Sequence, residues 1–174
     1  LIGAIVMTHG DERGLKLPPR VAPIQVVILP IAMHKEGVLE RARALKAELE
    51  AAGLRVELDD RDTYSAGWKF NEWEMKGVPV RLELGPRDIE NGVAMRRDTL
   101  EKKPLELDGI ADTVKALLDD IHTTMFEQAR AFRDAHIYTA TTLEELEQGV
   151  QNGFVKAAWC GCRECEDKVK ELYN

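Results

Sequence analysis

The run Ile24-Gln25-Val26-Val27-Ile28-Leu29-Pro30-Ile31 constrains this chain more than any other stretch. It is nearly all apolar and rich in β-branched residues, and it is short. Such a run is a strand buried on both faces, which requires a sheet with helices on each side. The next segment fits that demand. Val38, Leu39, Ala42, Leu45, Leu49 and Ala52 fall on one helical stripe, and Gly53 stands where a C-terminal cap belongs. Arg55 to Asp60 follows as a strand, with Leu54, Val56 and Leu58 alternating. Strand, helix and strand joined by short connections form the crossover unit of a parallel sheet.

Asp59 to Gly67 reads as a polar loop, and Trp68 to Lys76 as a short helix carrying Trp68, Phe70, Trp73 and Met75. These aromatics pack the helix on the sheet; base stacking by an exposed Trp68 is the competing use. Val78, Val80, Leu82 and Leu84 then recur every second residue, so this strand has one apolar face and an opposite face bearing Pro79, Arg81 and Glu83. Gly85-Pro86 ends it, Arg87 and Asp88 sit at its exit, and after Gly92 a second strand, Val93 to Thr99, carries Arg96 and Arg97 near its far end. Arg81, Glu83, Arg87, Asp88, Arg96 and Arg97 are therefore expected around one loop. Planar guanidinium forks beside carboxylates suit base edges as well as phosphates. The plainer reading is a solvated hairpin with surface ion pairs. Lys102 to Leu107 reads as an edge strand. Ile110, Val114, Leu117, Leu118, Ile121, Met125, Ala129 and Phe132 mark a long helix from about Asp108 to Asp134.

Beyond that helix the pattern restarts: a short strand at Ile137-Tyr138-Thr139, a capping box at Thr142 to Glu145, a helix stopped by Asn152-Gly153, a strand from Phe154 to Trp159, and a helix-like segment, Glu166 to Tyr173. The fold class expected is α/β: a mixed, mostly parallel sheet flanked by helices, followed by a small α/β domain. At the other end Leu1-Ile2-Gly3-Ala4-Ile5-Val6-Met7 reads as a buried helix whose partners lie elsewhere. We expect a piece of a longer protein, with Leu1 to Met7 exposed or packed against a neighbour. Three prolines within Pro18 to Pro23 mark a stiff linker after the polar turn Thr8 to Gly14. His9 and Asp11 in that turn are a capping pair rather than an acid–base pair.

The formal net charge of -7 argues against a protein that coats DNA, although a local basic site remains compatible with it. No apolar run approaches the length needed to cross a bilayer. The cysteines are three, Cys160, Cys162 and Cys165, crowded together in a way that disfavours a disulfide framework. They offer soft thiolate ligands, yet structural zinc takes four, so the set is incomplete unless His136 or a residue outside the chain completes it. No Walker loop, GxGxxG, HExxH or GxSxG motif is present, so the motifs form no catalytic centre.

Four segments carry a family resemblance. The junction Met7 to Val27, with Thr8-His9-Gly10-Asp11-Glu12-Arg13-Gly14-Leu15-Lys16-Leu17-Pro18-Pro19 at its heart, is one. The others are Gly67-Trp68-Lys69-Phe70-Asn71-Glu72-Trp73-Glu74, Leu84-Gly85-Pro86-Arg87-Asp88 and Trp159-Cys160-Gly161-Cys162-Arg163-Glu164-Cys165-Glu166. Together they resemble proline–tRNA ligases of the archaeal and eukaryotic type, in family order and over essentially the whole chain. The resemblance implies a remnant of the catalytic domain at 1–16, a linker at 17–23, a class II anticodon-binding domain at 24–133 and the truncated start of a C-terminal domain at 134–174. It implies that the chain reads the anticodon of proline tRNA, which shares a G-G pair. The candidate readers are Glu83, Arg87 and Asp88, with Arg81, Arg96 and Arg97 on bases or phosphates. ATP and magnesium belong to a class II catalytic domain outside the chain, which alone is expected to be inactive. Zinc at Cys160, Cys162 and Cys165 is expected to be partial. The parent is expected to be a cytoplasmic homodimer that meets neither membrane nor DNA. The rival reading is an anticodon-type fold used as a protein-interaction module; a free-standing metal-dependent enzyme is disfavoured by the incomplete ligand set.

Overall fold

The computed structural model describes residues 1–85 and 91–173. The chain forms two compact units, Leu1–Phe126 and Glu127–Asn174. The first opens with helix α1 (Ile2–His9), none of whose residues is buried. Read as a helix whose partners lie elsewhere and expected to be exposed or packed against a neighbour, it is largely exposed: Ile2 and Met7 are more than four-fifths exposed, while Ile5 is partly buried. A turn bridged between Asp11 and Gly14 leads to the proline segment.

Strand β1 (Val26–Pro30) is buried throughout, as its unbroken apolar run demands. Helix α2 (Val38–Ala51) sinks Val38, Ala42, Leu45 and Leu49, and strand β2 (Val56–Leu58) returns parallel to β1, with Val26 opposite Val56. Helix α3 (Ala66–Met75) starts at Ser65, whose side chain accepts from the Trp68 backbone N–H. Strand β3 (Val80–Leu84) pairs parallel to β1, β4 (Asn91–Arg96) antiparallel to β3, and β5 (Lys102–Glu106) antiparallel to β4. The sheet order is β2-β1-β3-β4-β5, a mixed sheet. Helix α4 (Ile110–Ala135) buries Ile110, Val114, Leu118, Ile121 and Met125, spaced by three or four as one helical stripe requires.

Both sheet faces are covered. Val26, Ile28, Val80, Leu82 and Leu84 form one core with α2 and α4. Val27 and Leu29 form a smaller core with Trp73 and Val78, and Phe70 packs against its edge. Two glycines allow the close approach of the entering chain to the end of α3. Gly14 (φ +125) and Gly77 (φ +73) both adopt backbone that side chains rarely take. A Cβ on Gly77 would lie 2.6 Å from the Leu15 carbonyl oxygen, and one on Gly14 would lie 2.6 Å from the Met75 backbone. The contact they permit is a pair of backbone bonds, Leu15 to Met75 and Leu17 to Gly77.

The second unit holds a parallel pair, β6 (Ile137–Ala140) and β7 (Phe154–Ala157), connected through α5 (Leu143–Asn152), with α6 (Arg163–Tyr173) after it. The capping box at Thr142 and Glu145 is formed. The units divide between Phe126 and Glu127, within α4 and before the expected 133/134 boundary. Among the described residues no helix is long and apolar enough to cross a membrane.

Asp59, at the end of β2, fastens α3 to the sheet. Its side chain is 1% exposed. It accepts from Arg61 Nε and Nη2 (2.8 and 2.7 Å) and from Trp73 Nε1 (2.8 Å), while Lys69 Nζ donates to its carbonyl oxygen (3.1 Å). Burial raises the Asp59 pKa, but Arg61, Trp73 and Lys69 outweigh it and hold the carboxyl well below its usual range. Removing Asp59 strands a buried lysine and an indole N–H. Asp59→Ala should cost about 3–5 kcal/mol in urea unfolding at neutral pH. A depressed folded-state pKa contributes stability above the unfolded value, near 4 for Asp, that is lost as pH falls through the folded value. The gap between parent and Asp59→Ala should therefore narrow in acid; a gap unchanged from neutral pH to about pH 2 would contradict this linkage.

Candidate functional site

Alternation along β3 sends Arg81 and Glu83 away from Val80, Leu82 and Leu84, onto the face that carries Val27 and Leu29. The sequence suggested that this face lies open. Instead α3 covers it, and Arg81 and Glu83 are 7% and 8% exposed. Buried charges need partners, and these have each other. Arg81 Nε and Nη2 donate to Glu83 Oε1 at 3.0 and 2.8 Å. Lys102 Nζ, from the edge strand, donates to Glu83 Oε2 at 3.0 Å. The Arg81 guanidinium carbon sits 4.3 Å from the centre of the Phe70 ring, with Lys102 Nζ 5.6 Å from the same ring. Glu74 Oε2 approaches Arg81 at 3.9 Å. The cluster thus places donors, acceptors and an aromatic face side by side, and Lys102, about half exposed, is its most accessible charge.

Register removes Arg96 from this group. Val80 lies opposite Arg96 and Arg81 opposite Met95, so Arg96 points to the α4 face. There it donates to Asp98 at 3.0 and 2.7 Å, to Asp120 and to Thr124. Asp98 foremost, with Asp120 helping, pushes its pKa upward against burial. Arg97, just past the strand, is 4% exposed. It grips Asp11 with two bonds of 3.0 and 2.6 Å and donates to the Glu74 carbonyl at 2.9 Å. Arg97 is the main cause that holds the Asp11 carboxyl far below its usual range, aided by Lys16. Among the described residues Asp11 is thus bound to Arg97 and Lys16, and His9 is held less basic than usual by burial, then by Lys16 and His122. Arg87 and Asp88 lie outside the described residues.

Of the six expected readers, the fold therefore unites Arg81 and Glu83 and sets Arg96 and Arg97 to bracing other elements. Phe70, Glu74 and Lys102 join the site although none of them was among the expected readers. One signal was present: Asp59/Arg61, Arg81/Glu83 and Arg96/Asp98 are opposite charges two residues apart. Within strand β3 that spacing puts Arg81 and Glu83 on one side, the other two pairs lie at or just past strand ends, and all three are bonded pairs here.

In the second unit the sulfurs of Cys160, Cys162 and Cys165 lie within 4.8 Å of one another. Hydrogen bonding, first from the Cys162 backbone and then from Cys165, lowers the Cys160 pKa; the same contact raises that of Cys165. The arrangement fits three thiolate ligands of one ion, open on the remaining side. Among the described residues His136 is no part of it: its ring bonds the Phe132 carbonyl and lies tilted against the Phe132 ring, centres 4.1 Å apart.

Comparison with known proteins gives a consistent picture. A family described as "Anticodon binding domain" matches residues 25–117, more than half of the chain and most of the five-stranded sheet unit. A proline–tRNA ligase from Acetoanaerobium sticklandii is 62% identical over 98% of this chain. Proline–tRNA ligase 2 from Clostridioides difficile (55%) and a proline–tRNA ligase from Alkaliphilus oremlandii (56%) match over the same share. In each case the chain spans 36% of the relative's length.

The Arg97 clamp makes a checkable demand. Arg97→Ala frees Asp11 and opens the contact between the turn at 10–14 and the sheet unit. It should cost about 1–3 kcal/mol and hasten limited proteolysis between α1 and the proline segment. Cleavage there at the parent's rate would show that the clamp does not hold this turn.

Proposed function

The chain belongs to the anticodon binding domain family, and on that premise we propose that residues 24–133 read the anticodon of proline tRNA as part of a proline–tRNA ligase. The observation that carries this reading is the Arg81–Glu83–Lys102 cluster beside the Phe70 ring. Guanine offers O6 and N7 acceptors to arginine or lysine, and N1–H and N2–H donors to a carboxylate. An unpaired loop base exposes those edges, and an aromatic ring takes its flat face. The internal ion pairs hold the Arg81 fork and the Glu83 carboxylate in fixed positions, and Lys102 is the member able to swing aside. Arg81 and Glu83 are assigned to base reading, joined by Arg87 and Asp88 on the strength of the sequence. Arg96 and Arg97 are assigned to bracing the strand that presents the site. The mixture of charges suits a guanine pair better than a purely basic patch would.

The ATP- and magnesium-dependent attachment of proline is assigned to a catalytic domain outside these 174 residues. The same reading makes the parent a cytoplasmic homodimer that acts on tRNA, with no DNA or membrane partner. At the cysteines it assigns a zinc ion held by three thiolates and completed from outside, by water or another residue, and hence held incompletely.

Binding to proline tRNA transcripts, with the G-G pair intact or replaced, tests the reading. Arg87→Ala should cost about 1–3 kcal/mol and blur discrimination at one anticodon position, whereas loss of a phosphate contact weakens all tRNAs alike. If Arg81→Ala, Glu83→Ala, Arg87→Ala and Asp88→Ala all keep the parent's affinity and preference, the anticodon is read elsewhere. Equal binding to unrelated tRNAs by the parent chain would favour a protein-interaction module. Two further outcomes are expected. Proline-dependent pyrophosphate exchange by the purified chain should stay at background. Elemental analysis should find less than one zinc per chain after dialysis against a chelator; a full, retained equivalent would require a fourth ligand from the chain or a second copy.

A further inference from the structure

The start of α3 carries a second aromatic feature, separate from the Phe70–Arg81 contact. Tyr64 and Trp68 stack with ring centres 4.0 Å apart and planes 13° from parallel. Both remain more than two-fifths exposed. The Arg61 guanidinium lies 5.0 Å from the Tyr64 ring centre and 5.4 Å from that of Trp68, within cation–π range of both.

The arrangement is held rigid from behind. Arg61 bonds both oxygens of Asp59 and also Glu72. Ser65, between the two rings in sequence, accepts from the Trp68 backbone and fixes the first turn of the helix. An exposed ring pair that is already ordered loses little freedom when a flat partner settles on it.

Charge narrows the partner. One guanidinium faces two carboxylates, and Asp60 and Asp62 are exposed on either side of Arg61. A phosphate would be repelled from such a surface. An uncharged planar group is not, and a nucleobase is one. Base-on-aromatic stacking tolerates any base because every base has a π face. The position is compatible as well: Trp68 and Phe70 belong to the same helix, and because two residues on a helix point to nearly opposite sides, the Tyr64–Trp68 pair is a second surface rather than an extension of the Arg81–Glu83 site.

We propose that the Tyr64–Trp68 stack is a docking platform for one unpaired base of the anticodon loop, other than the two guanines assigned to the Arg81–Glu83 site. The proposal rests on the tRNA-reading function set out above. The platform adds affinity without selecting a base, so the two sites divide grip from discrimination.

The experiment measures binding of the 174-residue chain to a labelled anticodon stem-loop of proline tRNA. Trp68→Leu keeps apolar bulk but removes the π face, and should weaken binding about tenfold while leaving the preference for the G-G pair intact. Trp68→Phe should retain most of the affinity. Stem-loops with a single abasic residue at each loop position in turn locate the partner: at one position outside the G-G pair, the difference between parent and Trp68→Leu should vanish. Parent-like binding by Trp68→Leu overturns the platform, as does an equal loss with Trp68→Phe, which would mark a packing role. A difference that persists with every abasic loop overturns it too. Failure of the parent chain to bind the stem-loop removes the anticodon reading itself, and the platform with it.

Discussion

A single buried carboxylate, that of Asp59, decides where helix α3 lies. An ionised carboxylate in a protein interior is costly unless several donors surround it. Asp59 draws Arg61 from its own loop and Lys69 and Trp73 from α3, so its need for partners is met only when that helix lies across the sheet. Once α3 is there, Phe70 comes against Arg81, Glu74 comes within reach of it, and Arg61 comes beside the rings of Tyr64 and Trp68. Both surfaces assigned to RNA are consequences of this placement.

Burial of charge serves a purpose in such a site. A guanidinium free in water samples many rotamers and reads nothing sharply. Arg81, held by Glu83 at 2.8 Å and stacked on Phe70, presents one geometry. The cost of keeping these charges out of water is offset by their mutual bonds. In the proposed reading, a base edge would compete with Lys102 for Glu83, so that recognition would exchange one set of hydrogen bonds for another and select the edge that can complete the exchange. Arg96 and Arg97 act at one remove, tying the end of β4 to α4 and to the turn around Asp11.

Much of this architecture was legible in the sequence. The unbroken run at Ile24–Ile31 announced a strand covered on both faces, and the helical stripes of α2 and α4 emerged at the expected spacing. The site was legible only in part. Alternation divides Arg81 and Glu83 from Val80 and Leu82, but it does not say what covers the polar side. Here the same two-sided burial that β1 demanded extends to β3, one strand further into the sheet. The facing of Arg96 depended on the register of β4 on β3, which the sequence does not fix, and one residue of slip reverses every side chain. The apolar helix α1 illustrates a different limit: composition gives its helical form but not the partner that would bury it.

Amide hydrogen exchange of the chain with and without the proline-tRNA anticodon stem-loop tests the central claim most directly. Binding should protect the first turn of α3 and strands β3 and β5, which frame the Arg81–Glu83–Lys102 cluster and the Tyr64–Trp68 stack. Protection confined to α2, to α4 or to the second unit, with α3 and β5 unchanged, would contradict the account.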